Sequence, residues 1–203
     1  MAVSLSMNSL SSYEPMRKNW FIVQFDSGLT NNAGEALTIA CKTCDIPSLT
    51  TSENVIDRLN DKVYTPGKSE YGTISIAFNE YIHDNLGKDG AGNDYKSAGE
   101  ILYAWQQQVH NVKSGVQGAK KQIAHNIAIV QIDGAGNAVR VWNVYSAWPI
   151  AVEFDNLDSS AGDIQSVSAT FRFDWAEQRD AQIEITKTVG VNNAGTLDNV
   201  VGF

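Results

Sequence analysis

A chain of 203 residues with 43% hydrophobic and 19% charged residues can bury one sizeable core and is far from the composition of disordered chains. Its 23 acidic against 15 basic residues give a formal charge of −8, which excludes a nucleic-acid clamp but leaves open a conduit that nucleic acid slides past. Two cysteines are too few for a secreted disulfide framework. The start of the chain has no basic n-region or apolar h-region, and no apolar run approaches the roughly 20 residues of a membrane-spanning helix. The expectation is cytoplasmic synthesis without membrane insertion by the subunit.

Residues 1–18 read as an N-terminal arm. From Asn19 to Asp26, N-W-F-I-V-Q-F-D is a dense β-branched and aromatic run, followed by the polar turn S-G-L-T-N-N-A-G-E and a second run, A-L-T-I-A-C-K-T-C. Leu37, Ile39 and Cys41 alternate with Thr38, Ala40 and Lys42, which predicts a strand paired with the first run as a hairpin and ended by Pro47. Residues 46–71 are mixed and charged, bounded by Pro47 and Pro66-Gly67, and read as an extended loop or β-arm. G-T-I-S-I-A-F-N-E-Y then predicts a strand with Ile74, Ile76 and Phe78 on one face and Thr73, Ser75 and Ala77 on the other.

After the glycine-rich turn G-K-D-G-A-G-N-D, Ser97 and Glu100 form a capping box. Ile101, Leu102, Trp105, Val109 and Val112 follow at helical spacing, predicting one amphipathic helix packed on a sheet. K-S-G-V-Q-G-A-K-K-Q reads as an exposed loop. H-N-I-A-I-V-Q-I-D and A-V-R-V-W-N-V-Y-S-A, joined by G-A-G-N, predict a hairpin. W-P-I-A-V-E-F-D follows with Trp148-Pro149 as a strand-edge corner. In the last run Val167, Ala169, Phe171, Phe173 and Trp175 alternate with Ser166, Ser168, Thr170, Arg172 and Asp174, which predicts a core face and a polar face. Residues 179–203 dissolve into Asn and Gly as a C-terminal arm. The whole is a mainly β fold: one domain over 19–178, a sandwich or open barrel with one flanking helix.

Catalytic, cofactor and metal assignments are none. His83, His110 and His125 sit in unrelated contexts without zinc-site spacing, and no nucleophile elbow, Walker loop or dinucleotide fingerprint is present. Asp84, Asp89 and Asp94 lack the spacing and closing Glu of a calcium loop. Cys41-Lys42-Thr43-Cys44 could serve redox chemistry or half a zinc site, but it stands alone at the end of a strand. The expected reading is one cysteine in the core and one near the surface. No two acidic residues can be shown to converge as a glycosidase pair. Trp20, Trp142, Trp148 and Trp175 could form a sugar platform, although aromatics in alternating strands more often belong to the core.

This order of elements resembles the T4-like tail tube family of contractile-tailed phages. The resemblance rests on N-W-F-I-V-Q-F, T-I-A-C-K-T-C-D-I-P before the long loop, G-T-I-S-I-A-F-N-E-Y-I-H-D leading to the helix, Y-S-A-W-P, and I-Q-S-V-S-A-T-F-R-F-D-W. It spans most of residues 19–178, and the tail after 178 and the second cysteine depart from it. The resemblance implies a non-enzymatic protein of the virion tail, assembled in the host cytoplasm. Its six-membered rings would close their inner sheets into one barrel and stack into a tube. Implied partners are other copies of itself, the tail sheath protein, baseplate and tail terminator proteins, and the tape measure protein and DNA in the lumen. Alternatives are a tube of a type VI secretion or extracellular injection machine, a tube-capping baseplate protein, a carbohydrate-binding β-sandwich, or a redox enzyme using the cysteine pair.

Two surfaces follow as expectations. Thr73, Ser75, Ser166, Ser168 and Thr170 form a polar face fit to line a wet, acidic or neutral bore, which Arg172 and Lys42 complicate. Residues 46–71 form the inter-ring contact. Leu49, Val55, Ile56, Leu59, Val63 and Tyr64 supply its apolar part, and Asp57 and Arg58 are among its charges.

Overall fold

The computed structural model describes residues 15–26, 29, 33–82, 95 and 97–180. The expectations for most of the N-terminal arm, for His83, for the glycine-rich turn with Asp84, Asp89 and Asp94, and for the tail beyond residue 180 lie outside the described residues. In chain order the elements are β1 (Phe21–Phe25), α1 (Ala33–Ala40), β2 (Cys41–Cys44), β3 (Leu49–Asp57), β4 (Lys62–Tyr71), β5 (Ile74–Asn79) and α2 (Ala98–Val109). They continue with β6 (His110–Asn111), β7 (Val116–Gln117), α3 (Lys120–Ile123), β8 (His125–Ile132), β9 (Ala138–Phe154), β10 (Ser166–Arg172) and β11 (Trp175–Asp180). The fold is mainly β, with antiparallel sheets that are not closed in the single chain.

The main sheet runs β1-β8-β9-β10-β5-β2, and β11 also pairs with β9. β9 is the spine: Ala138 to Ala147 pairs with β8, Tyr145 back to Arg140 pairs with β11, and Trp148 to Phe154 pairs with β10. It bends at Ser146, whose φ of 56° lies in the left-handed region that non-glycine residues seldom enter. The Asn126 side chain holds this turn by accepting a bond from the Ser146 N–H at 3.2 Å. A face switch follows: Val144 and Ala147, three residues apart, are both buried. The expected corner at Trp148-Pro149 is therefore real and begins two residues earlier.

The bend folds the two parts of the sheet onto each other. Phe25 of β1 meets Phe78 of β5 at 5.9 Å and Phe171 of β10 at 6.3 Å between ring centroids. Ile74, Ile76 and Phe78 of β5 are fully buried, as their alternation requires. Opposite the bend, β10 stops at Arg172 and β11 restarts at Trp175. The expected inward Trp175 is instead 47% exposed while Ala176 is buried, because the alternation resets across the break. Trp175 stacks on Tyr145 of the paired strand, with ring centroids 3.9 Å apart.

The expected hairpin of residues 19–26 with 36–44 does not form. β1 pairs with β8, and the strand expected over Leu37, Ile39 and Cys41 is mostly the helix α1. Ala33, Ala36, Leu37 and Ala40 are buried at helical spacing, whereas Ile39 is 72% exposed. Alanine and leucine favour helix, and the short period-2 pattern competed with an equally good period of 3.6. Gly34 makes a close approach there: a Cβ would meet the Phe25 carbonyl oxygen at 3.0 Å, a tight contact.

Helix α2 is as expected. Ser97 caps it, its hydroxyl accepting the Glu100 N–H at 3.4 Å, and Ile101, Leu102 and Trp105 are buried. Val112 lies beyond the helix and is exposed. The Trp105 indole N–H donates to the Ile123 carbonyl at 2.7 Å, tying α2 to α3. The segment expected as a plain loop, 113–122, thus contains β7, which pairs with β6 just before it, and most of α3.

Candidate assembly surfaces

Residues 46–71, expected as an extended loop or β-arm, form an antiparallel ribbon, β3–β4, that joins neither part of the main sheet. Pro66, expected to bound the segment, lies inside β4 opposite Glu53, which a two-stranded ribbon with free outer edges tolerates. The turn closes by a 2.8 Å bond from the Arg58 N–H to the Asp61 carbonyl, with Asp57 and Lys62 paired at 3.5 Å. With 9 residues in β3, the ribbon extends roughly 30 Å. At its root the Tyr71 hydroxyl donates to the Ala176 carbonyl at 2.9 Å, the Gly72 N–H donates to the Ser48 carbonyl at 3.0 Å, and Arg172 pairs with Glu70.

Every residue of β3 is exposed. Val55 lies across from Tyr64, and Ile56 across from Val63, so neighbouring rungs place apolar pairs on opposite faces of the ribbon. Val55, Ile56 and Tyr64 are exposed, Val63 is half-buried, and Leu59 at the tip is 100% exposed. Leu49 lies at the root, also exposed. The charged Asp57 and Arg58 flank the tip. The sequence offered one unused signal for this ribbon: L-T-T-S and V-Y-T flank R-L-N-D, two β-prone stretches around a turn.

The expected polar face is assembled by register. Ser166 pairs with Asn79, Ser168 with Ala77, and Thr170 with Ser75, so these side chains share one face of β5 and β10. On the far edge of β10, Ser168 and Thr170 oppose Glu153 and Ala151 of β9. Ser75 is exposed, Ser166, Ser168 and Thr170 are half-buried, and Thr73 precedes β5 on the exposed surface. The opposite side of these strands is core: Val167, Ala169 and Phe171 are buried. Arg172 is no free cation, because Glu70 neutralises it, while Lys42 is exposed.

The cysteine pair departs from its expected arrangement. A bulge between Cys41 and Thr43 sets Cys41 opposite Phe78 and Cys44 opposite Ile76, so both thiols pack half-buried against the core. Burial pushes the Cys41 thiol from its ordinary value near 9 up to about 12. Cys44 is raised as well, by burial and then by Cys41 and Asp45. Both thiols stay protonated at neutral pH and are poor nucleophiles. Among the described residues no group of three or more His, Cys, Asp or Glu is placed to hold a metal.

His125 packs edge-on against Trp105 at 5.3 Å, and burial lowers its pKa against the opposing pull of Asp26. The tryptophans do not form one platform. Trp142 packs against the core, Trp20 sits under Arg17 near the chain start, Trp148 lines a groove of about 760 Å³ at the ribbon root, and Trp175 lies on the outer face of β11. Two ion pairs, Arg172 with Glu70 and Lys120 with Asp174, border that groove.

This architecture has counterparts among solved structures. A chain of the sheath-tube complex of PVC, an extracellular contractile injection system, in its extended state matches with a TM-score of 0.58 and 19% identity, over 88% of this chain and 100% of that one. The tube-terminating cap of the anti-feeding prophage matches at 0.60 and 16% identity, over 83% of this chain and 93% of that one. The baseplate of the same particle matches at 0.60 and 12% identity, over 84% and 99%. The fold is that of contractile-injection tube proteins. No family model matches this chain, and no curated protein matches it significantly. At the level of the tube fold, the resemblance seen in the sequence therefore holds.

Proposed function

We propose that this chain is a structural, non-enzymatic subunit of a contractile tail tube, stacked as six-membered rings around a bore through which DNA leaves the particle. The observation that carries the reading is the β3–β4 ribbon, which presents apolar side chains on both faces and, among the described residues, is held to the rest of its chain at the root. A two-stranded ribbon is marginal in water, so its order is supplied by what covers it. Apolar pairs on both faces fit insertion between two neighbouring copies better than docking on one surface. Val55, Ile56, Leu59, Val63 and Tyr64 supply that contact, while Leu49, Asp57 and Arg58 border it.

The face of Ser75, Ser166, Ser168 and Thr170, with Thr73 beside it, lines the bore. Small hydroxyl side chains keep it wet, and the neutralised Arg172 leaves no strong grip on phosphate. The sheath protein, the baseplate and terminator proteins, and the tape measure protein are the further partners of such a tube. The virion tail, assembled in the host cytoplasm, is its place. A T4-like phage tail, a type VI secretion machine and an extracellular injection machine are the candidate settings, and the cargo that co-purifies with the tube separates them.

A second reading, a tube cap or baseplate component, is favoured by the cap and baseplate matches, whose TM-scores of 0.60 stand beside 0.58 for the sheath-tube complex. Negative-stain microscopy of the purified chain decides: long tubes are expected for a tube subunit, and single rings for a cap. Replacing residues 50–66 with a short Gly-Ser linker is expected to leave a soluble β-rich protein that builds no long tubes. Tube growth equal to the parent's would refute the role given to the ribbon.

A further inference from the structure

Two exposed segments of opposite charge lie near opposite ends of β10. Residues 110–123 contain Lys113, Lys120 and Lys121 and no carboxylate; residues 153–164 contain Glu153, Asp155, Asp158 and Asp163 and no cation. Lys120 is neutralised by Asp174, but among the described residues Lys113 and Lys121 have no carboxylate partner, and the acidic segment has no cationic one. Each segment also exposes large apolar side chains. Val112 is 75% and Val116 63% exposed on the basic side, with Leu157 at 85% and Ile164 at 61% on the acidic side.

The two segments cannot meet within one copy. β10 runs from Ser166, at the acidic loop, to Arg172, beside the Lys120–Asp174 pair, and its 7 residues span roughly 20 Å. Helix α2 gives the same separation independently. A Cβ on Gly99, at its start, would collide with Phe154, whereas Val109 at its end lines the groove with Lys120. Its 12 residues rise about 18 Å. The ribbon root lies at the basic end, through the Glu70–Arg172 pair.

We propose that the acidic loop 153–164 of one copy seats against the basic segment 110–123 of a second copy, as the head-to-tail contact that accompanies the ribbon in stacking. Copies of a chain with a charge of −8 repel one another, so a persistent contact between them needs locally opposite charge. Segments near opposite ends of β10 make that contact heterologous, and it repeats from copy to copy instead of ending in a closed pair. Val112 and Val116 then meet Leu157 and Ile164 inside a rim of Lys113 and Lys121 against Asp158 and Asp163. This inference rests on the tube reading above and adds to it the surface that receives the next copy.

Two charge-reversed variants test it, Lys113→Glu with Lys121→Glu, and Asp158→Lys with Asp163→Lys, followed by sedimentation and negative-stain microscopy beside the unaltered chain. Each variant alone is expected to melt at the parent's temperature and to need about tenfold more protein to assemble. Mixed in equal amounts, they are expected to recover assembly, because the carboxylates introduced in one variant face the lysines introduced in the other at one contact, and the unaltered segments face each other at the next. Assembly of either variant at the parent's concentration, or a mixture that stays unassembled, overturns the contact and leaves the ribbon's role standing. An unaltered chain that forms no oligomer at any concentration overturns the tube reading, and this inference with it.

Discussion

The folded sandwich and the β3–β4 ribbon obey the same strand rules and end in opposite situations. In the sandwich, alternation buries one face completely: Ile74, Ile76 and Phe78 have no exposure, nor has Phe171 across from them. In the ribbon, alternation distributes apolar residues to both faces, and β3 has no buried residue at all. The first region satisfies itself within one chain. The second leaves apolar side chains exposed on both faces in the single chain, which is why an apolar count alone does not separate core from surface.

The largest expected effect breaks the first region. Phe171→Ala removes a fully buried ring that touches Phe25 and Trp105; it is expected to cost about 3–5 kcal/mol. A thermal melt should fall by roughly 10 °C. The matching change in the ribbon, Val55→Ser with Ile56→Ser and Tyr64→Ser, is expected to shift the melt of the isolated chain by less than about 1 kcal/mol. It should nevertheless abolish tubes under the microscope. Equal melting losses from the two changes would erase the contrast between the regions.

Ser97→Ala sharpens the comparison at a smaller scale, by removing the side-chain cap of α2. It is expected to cost about 1 kcal/mol, read from a denaturant titration, and to leave assembly intact. The smallest effects are pH-dependent. The unfolded chain binds a proton on His125 near its ordinary value of 6.5, and the folded chain resists doing so because the ring is buried. The sign is therefore loss of stability as pH falls below about 6.5, and His125→Gln should flatten that slope in melts between pH 5 and 8.

The raised thiols act in the other direction. Their contribution is complete below about pH 9 and is lost as pH rises through the folded value of about 12 for Cys41. A thiol reagent at pH 8 should label the native chain far more slowly than the denatured chain. Rapid native labelling would show that the bulged strand opens readily.

The sequence by itself determined the elements with long, unambiguous periods. The alternation through Ile74, Ile76 and Phe78, the hairpin of β8 and β9, and the Ser97 cap with its Ile101, Leu102 and Trp105 stripe were all legible, because each pattern repeats often enough to select one period. Of the candidate surfaces, the identities of the hydroxyl residues and of the ribbon's apolar residues were legible too. Only the tertiary structure decided which faces they share. Leu37 and Ile39 fit strand and helix alike, and only the folded chain shows the helix, with Ala33, Ala36, Leu37 and Ala40 buried and Ile39 exposed. The inward turn of both cysteines depends on one bulge, and the outward turn of Trp175 on a strand break opposite the Ser146 bend. A period-2 pattern is inverted by one inserted or reset residue, and what inserts it is a long-range pairing that local sequence does not encode.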